Sequence, residues 1–284
     1  MKRVRAVILS LLLLVAASAY ALSSFIEISA GGGWSSLGYK MSNNTVPTLS
    51  AQVSGSYGYN AHLGYGLMFT PYVGIGIGVD FSRYGASASV SGKVVSPSMT
   101  DSDGELYDHI LTVHRWQETQ SISYVEIPLS LYLRYPVSEK VAVYAQLGAK
   151  ACIPVLSRAQ YAGDITHAGF YEPWMLTLTD MPNHGFYSAS YEDRYAIRPR
   201  FGAAGFVKLG IEGPVDTDRR VWLFGALHGT MHFLPAFDIA TTDSPLFSSS
   251  LAEGKPLPMA IGAEIGVRFR IPHPQKHNCR CYRW

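Results

Sequence analysis

Cysteine is scarce in this 284-residue chain, with three in all. A disulfide-stapled scaffold is thereby excluded, because it needs a far denser supply in a far shorter chain. Neither sign of charge dominates, with 23 Lys and Arg against 21 Asp and Glu. Lys2, Arg3 and Arg5 account for the surplus; without them 20 basic residues face 21 acidic ones. A basic surface for nucleic acid has no foundation. Charged residues make up 15% of the chain and apolar ones 48%, the reverse of what disorder requires. Long apolar runs are missing as well. After Ala21 no stretch approaches the roughly eighteen consecutive apolar residues of a transmembrane helix.

The N-terminus reads as an export signal over residues 1–21. Lys2, Arg3 and Arg5 form its charged start, residues 6–17 its apolar run, and Ala17-Ser18-Ala19 and Ala19-Tyr20-Ala21 both fit small-x-small cleavage. The run is well short of the roughly 20 residues that span a bilayer. No cysteine lies near the junction to carry a lipid anchor.

Beyond this segment the sequence alternates with period two. At odd positions the chain reads Val53, Gly55, Tyr57, Tyr59, Ala61, Leu63, Tyr65, Leu67, Phe69, and between them stand mostly small or polar residues. A strand sends these sets to opposite faces. Val73, Ile75, Ile77, Val79 and Phe81 repeat the pattern, as do Val125 to Tyr135 and Val141 to Ile153 at odd positions. Three later segments do likewise: Tyr195, Ile197, Phe201 to Leu209 against Arg198, Arg200 and Lys208; Val221 to Phe233; and Met259 to Ile271. Ile26 to Trp34 precedes them all. These eight segments meet the roughly 9 to 11 residues that a tilted transmembrane strand needs. Their connections run long, short, long, short, long, moderate, long, at residues 37–50, 70–72, 85–120, 136–140, 156–194, 211–219 and 234–257. The predicted fold is therefore all-β: a closed antiparallel up-and-down transmembrane β-barrel of eight strands over residues 22–271. It has four long outer loops, three shorter periplasmic turns and a short periplasmic tail over 272–284. Trp34, Tyr57, Phe81 and Phe233 are placed at the outer lipid rim, and Phe69, Tyr135 and Phe269 at the inner one.

The segment Tyr124-Val-Glu-Ile-Pro-Leu-Ser-Leu-Tyr-Leu-Arg-Tyr135, joined closely by Val143-Tyr-Ala-Gln-Leu-Gly148, resembles the small eight-stranded outer-membrane barrels of the OmpA/OmpX type, in their stand-alone Bacteroidota form. The segment after Ile271 is short where OmpA carries a peptidoglycan-binding domain. The resemblance implies fold and location, and no catalytic residue.

On the inferred inner face stand Glu27, Asp80, Glu126 and Glu264 with Arg134, Lys150, Arg198, Arg200, Lys208, Arg268 and Arg270. Charges in so narrow a barrel must be paired or hydrated. They form either a gate for small solutes or a polar core that satisfies itself, and the second is favoured because eight strands leave little room. His62, His228 and His232 share that face and read as hydrogen-bonded interior histidines rather than a metal site. Asp101, Asp103, Glu105 and Asp108 lack EF-hand spacing and read as a solvated acidic loop. Cys279-x-Cys281 in the tail reads as incidental, and Cys152 lies towards the outer end of its strand.

The long third loop is rich in rings: Tyr161, Phe170, Tyr171, Trp174, Phe186, Tyr187 and Tyr191. They form a contact surface for protein or glycan, or else pack on one another and stiffen strands that project above the membrane. No histidine falls on an inferred lipid face, so acyl transfer lacks its base. Neither an enzyme nor a cofactor is expected. The sequence points to an integral outer-membrane protein with a structural or surface-binding role, its partners being outer-membrane lipid and lipopolysaccharide and, through the loops, another protein or glycan. The alternatives are a narrow porin-like channel and a barrel subunit of a secretion or assembly machine.

Overall fold

A computed structural model describes residues 23–42, 48–101, 103–239 and 251–272. The expected export signal and the tail beyond Pro272, with Cys279 and Cys281, lie outside them. The strands are β1 (Ser23–Ser36), β2 (Lys40–Met41), β3 (Leu49–Met68), β4 (Val73–Thr100), β5 (Leu106–Pro136), β6 (Ala142–Tyr171), β7 (Leu176–Leu178), β8 (Ser188–Tyr195), β9 (Gly202–Pro214), β10 (Val221–His232), β11 (Ala252–Glu253) and β12 (Met259–Pro272). Eight of them close an antiparallel ring in the order β1, β3, β4, β5, β6, β9, β10, β12, and β12 pairs back onto β1 from Ser23↔Pro272 to Ser36↔Met259. Closure leaves no unpaired strand edge in the ring.

Three short turns gather at one end, and their own side chains hold them. Thr70 Oγ1 accepts the amide hydrogens of Tyr72 and Val73. Ser138 Oγ does the same for Lys140 and Val141, and the Asp216 carboxylate for Arg220 and Val221. These are the local side-chain bonds that Ser, Thr and Asp offer to turns.

The alternation resolves into a dry outer face and a filled lumen. Leu63, Leu129, Leu209, Ile261 and Ile265 point outwards and are 56–74% exposed. Apolar surface this continuous around a whole ring suits hydrocarbon. The lumen takes rings where the sequence has glycine opposite: a Cβ on Gly66 would overlap the Phe25 ring, and one on Gly266 the Phe224 ring.

Two expected loops are strands. β4 and β5 run far beyond the barrel as one hairpin, turning only at residues 101–105, and β6 continues to Tyr171 with β7 and β8 beside it. Of the 31 residues in β5, roughly 10 suffice to cross the membrane. The rest stand above it as a projecting sheet. Bulges mark the way out. An extra residue in β3 between Gly55 and Tyr59 shifts its register against β4, so Ala51 and Val53 pack inwards although Tyr57 to Tyr65 face out. The uninterrupted odd-outward pattern expected from Val53 is thus corrected at its start, because one inserted residue inverts a strand's faces.

Candidate functional site: a sealed lumen and a projecting sheet

At the turn end of the lumen, Arg268 is fully buried. Its Nε lies 2.6 Å from Glu27 and its terminal nitrogen binds Glu212 and, at 2.6 Å, the Tyr132 hydroxyl. Arg134 and Arg270 close on the same Glu212 carboxylate at 2.5 and 2.7 Å, and the Tyr132 hydroxyl donates to it at 2.8 Å. The guanidinium of Arg268 also faces the rings of Tyr144 and Phe224 at 4.1 and 4.3 Å, a geometry that favours a delocalised cation.

Midway up, Lys150 bridges Asp80 at 2.6 Å and Glu126 at 2.7 Å. Tyr84 and Ser82 donate to Glu126 at 2.7 and 3.1 Å. His62 binds Asp80 and reaches within 3.8 Å of Glu27, which ties this tier to the one below. Lys208 pairs with Glu264 at 2.8 Å, and Asn60 donates to the same carboxylate. Five carboxylates thus meet five lysines and arginines, which is how buried charge becomes tolerable. The voids between the tiers are about 20 Å³ each, space for about one water.

Above the charges sits an apolar plug. Leu37, Tyr39, Ile122, Tyr124, Ile197, Ala236 and Phe237 pack together at the loop end, beneath the pairing of β2 with β11. The interior is therefore closed at three levels.

Of the predicted lumen charges, nine take part in this network and two do not. Arg198 and Arg200 are exposed, and Arg200 pairs with Asp238 on the surface. The cause is a break in the strand. β8 ends at Tyr195 and β9 begins at Gly202, and between them Ile197 turns into the plug while Ser157 donates to its carbonyl. The even positions of that stretch consequently point away. Glu212, which takes three arginines, escapes sequence reasoning because its segment reads as a turn; β9 runs on to Pro214. Its even position, in phase with Lys208, is the available signal. The three histidines do not meet: His62 binds Asp80, His228 lines a void with Lys208, and His232 lies against Tyr84 and Tyr124.

In the projecting sheet the rings mostly pack on one another. Tyr171 and Phe186 are buried, and Tyr107 stacks on Tyr171 at 5.6 Å and meets Phe186 edge-on at 5.3 Å. Tyr161 stacks on Trp116 at 5.0 Å, and His167 lies between His109 and Tyr187. Phe170 is half-buried, whereas Trp174 is 58% exposed. The acidic tip is a turn. The Asp101 carboxylate accepts the amides of Asp103 and Glu105 and the Tyr171 hydroxyl at 2.8 Å. The Tyr171 bond, with the two amide bonds, holds Asp101 below the usual carboxylate range, while burial and the Asp101 charge push Tyr171 up to about 12. Burial and neighbouring His109 lower His167. Beside this sheet lies a polar cleft of about 500 Å³ lined by Gln117, Thr119, Gln160, Glu192, Asp193 and Arg194.

A closed eight-stranded ring with an apolar outside, a salt-bridged inside and short turns at one end defines an integral outer-membrane barrel. Residues 7–213 match the model of the outer membrane protein beta-barrel domain, and the chain belongs to that family of the bacterial outer membrane. Among solved structures it is similar to Neisserial surface protein A, at 13% identity over 87% of this chain and 96% of that one, with a TM-score of 0.37. It is also similar to OprG from Pseudomonas aeruginosa, at 11% identity over 89% and 98%, TM-score 0.39. A third is Ail of Yersinia pestis in complex with the heparin analogue sucrose octasulfate, at 11% over 87% and 99%, TM-score 0.28. No curated protein matches the chain.

Proposed function

We propose that this protein is a non-enzymatic, non-conducting outer-membrane anchor that displays its projecting sheet as a binding surface. The observation that carries this is the contrast in construction: the lumen is filled at three levels, while strands of up to 31 residues rise beyond the roughly 10 needed for the membrane. A strand long enough only to span would serve a structural barrel equally well. Holding some twenty further residues per strand in order costs conformational entropy, and the stacked rings offset it. The polar cleft beside Gln160 and Arg194 gathers hydrogen-bonding and charged groups in one concavity, and suits a polar ligand such as a glycan or an acidic or basic protein loop.

Proteoliposomes carrying the folded chain, passed over immobilised glycans and host-surface proteins, test this. Retention on one class, abolished by Arg194→Glu combined with Gln160→Glu, is expected. Behaviour indistinguishable from empty vesicles across the whole panel contradicts it.

A further inference from the structure

The upper edge of the charged tier contains a group that the barrel's own bonding leaves open. His232 on β10 is fully buried, and neither of its ring nitrogens has a hydrogen-bond partner. Its Nε2 lies 3.9 Å from Glu126 Oε1, near enough to feel the charge and too far to bond. Cys152 on β6 is a free, fully buried thiol, with only a long contact of 3.8 Å to the Lys150 carbonyl. Glu126, Cys152 and His232 each present a ligand atom within 4.8 Å of the other two. Unsatisfied imidazole nitrogens in a protein interior call for an explanation, and a missing ion is one of the few available.

We propose that Glu126, Cys152 and His232 bind one borderline-soft divalent metal ion of the zinc class. A carboxylate oxygen, a thiolate and an imidazole form a donor set suited to zinc, whereas calcium and magnesium seek oxygen alone. Three ligands come from three strands of a rigid ring, and a water completes the tetrahedron.

Local charge supports the assignment. Two carboxylates, Asp80 and Glu126, share the one ammonium of Lys150, and His62 is a further partner of Asp80 alone, so Glu126 holds its cation in common with a second acid. Binding releases the Cys152 thiol proton to solvent, and the ion and thiolate together bring a net charge of +1. The plug of Leu37, Tyr124 and Phe237 seals the site from above, so the ion enters while the barrel folds.

The test uses the full chain carrying Cys279→Ser and Cys281→Ser, which leaves Cys152 as its only thiol. Cobalt(II) is supplied during refolding in detergent micelles, with circular dichroism to verify the barrel. The expected result is one cobalt per chain with a near-ultraviolet thiolate-to-cobalt band, suppressed when zinc is supplied together with the cobalt during refolding. Cys152→Ser should remove the band, and His232→Ala should weaken binding at least ten-fold. Zinc present during folding should also raise the melting temperature of the parent and not of either variant. Folded protein that takes up no cobalt overturns the proposal. So does uptake unchanged in both variants, which would place the ion elsewhere, for example at Asp101, Asp103 and His184.

Discussion

The lower and upper parts of β5 are held by different chemistry, and an irregularity at residues 113–115 shifts the phase between them. In the membrane half, the inward positions Glu126, Tyr132 and Arg134 are tied into ion pairs that span the lumen. In the projecting half, Trp116, His109 and Tyr107 are held by ring stacking. The difference arises from what lies outside each face. Hydrocarbon claims the apolar side chains of the spanning half, so polar ones are left to fill the barrel. Water surrounds the projecting half, so its apolar groups must find one another. Ring stacking thus joins polar contacts as the sheet leaves the membrane, where Glu118 and Gln120 stay buried and bonded to Trp116 and Tyr195.

The largest effect should come from the lumen. Arg268→Met strands Glu27, while Glu212 keeps Arg134 and Arg270, and should cost about 3–5 kcal/mol, read as a lowered urea midpoint in lipid vesicles. A loss below about 1 kcal/mol would mean that these charges are not mutually dependent. Phe186→Ala should cost the projecting sheet about 3 kcal/mol locally. It should appear as faster proteolysis between β6 and β8 with the barrel's midpoint unmoved; a shift in that midpoint would show the two halves to be one cooperative unit.

Protonation offers a smaller, reversible probe. The folded pKa of His167 is depressed, so its stabilising contribution is present above the ordinary histidine value of about 6.5. It is lost as pH falls through the lower folded value. Protease resistance of the projecting sheet should drop on acidification; equal resistance at about pH 7.5 and about pH 5, on either side of the histidine range, would remove His167 from the account of its order. The smallest effect is expected at Arg200→Ala. This residue pairs with Asp238 at 3.4 Å where both are well exposed, and such pairs contribute about 0–1 kcal/mol. A loss comparable to that at Arg268 would return Arg200 to the lumen network.

The ring itself was legible in the sequence, because period-two alternation marks each of its eight spanning segments and the short connections at 70–72 and 136–140 fall at one end. Facing was legible wherever a strand is uninterrupted: Glu27, Asp80, Glu126, Lys150, Lys208, Glu264 and Arg268 all lie in the lumen. It failed at Val53 and at Arg198 and Arg200, where a single inserted residue or a strand break inverts the phase without leaving a mark in composition. The length of β4, β5 and β6 was hidden for a different reason. Outside hydrocarbon the outward residues need not be apolar, so Gln117, Thr119 and Gln160 look like loop although they are strand. Which charges pair across the lumen depends on depth, and one-dimensional alternation carries no depth; hence the three arginines around Glu212 and the gathering of Glu126, Cys152 and His232 emerged only from the fold.

The contrast between a closed interior and a displayed exterior is tested most directly by conductance. The folded chain, inserted into a planar bilayer, should show no discrete openings across a wide range of voltage, because ion pairs and an apolar plug fill its lumen. Reproducible unitary openings, altered by Glu126→Gln or Arg268→Met, would contradict the account and make the same charges the lining of a pore.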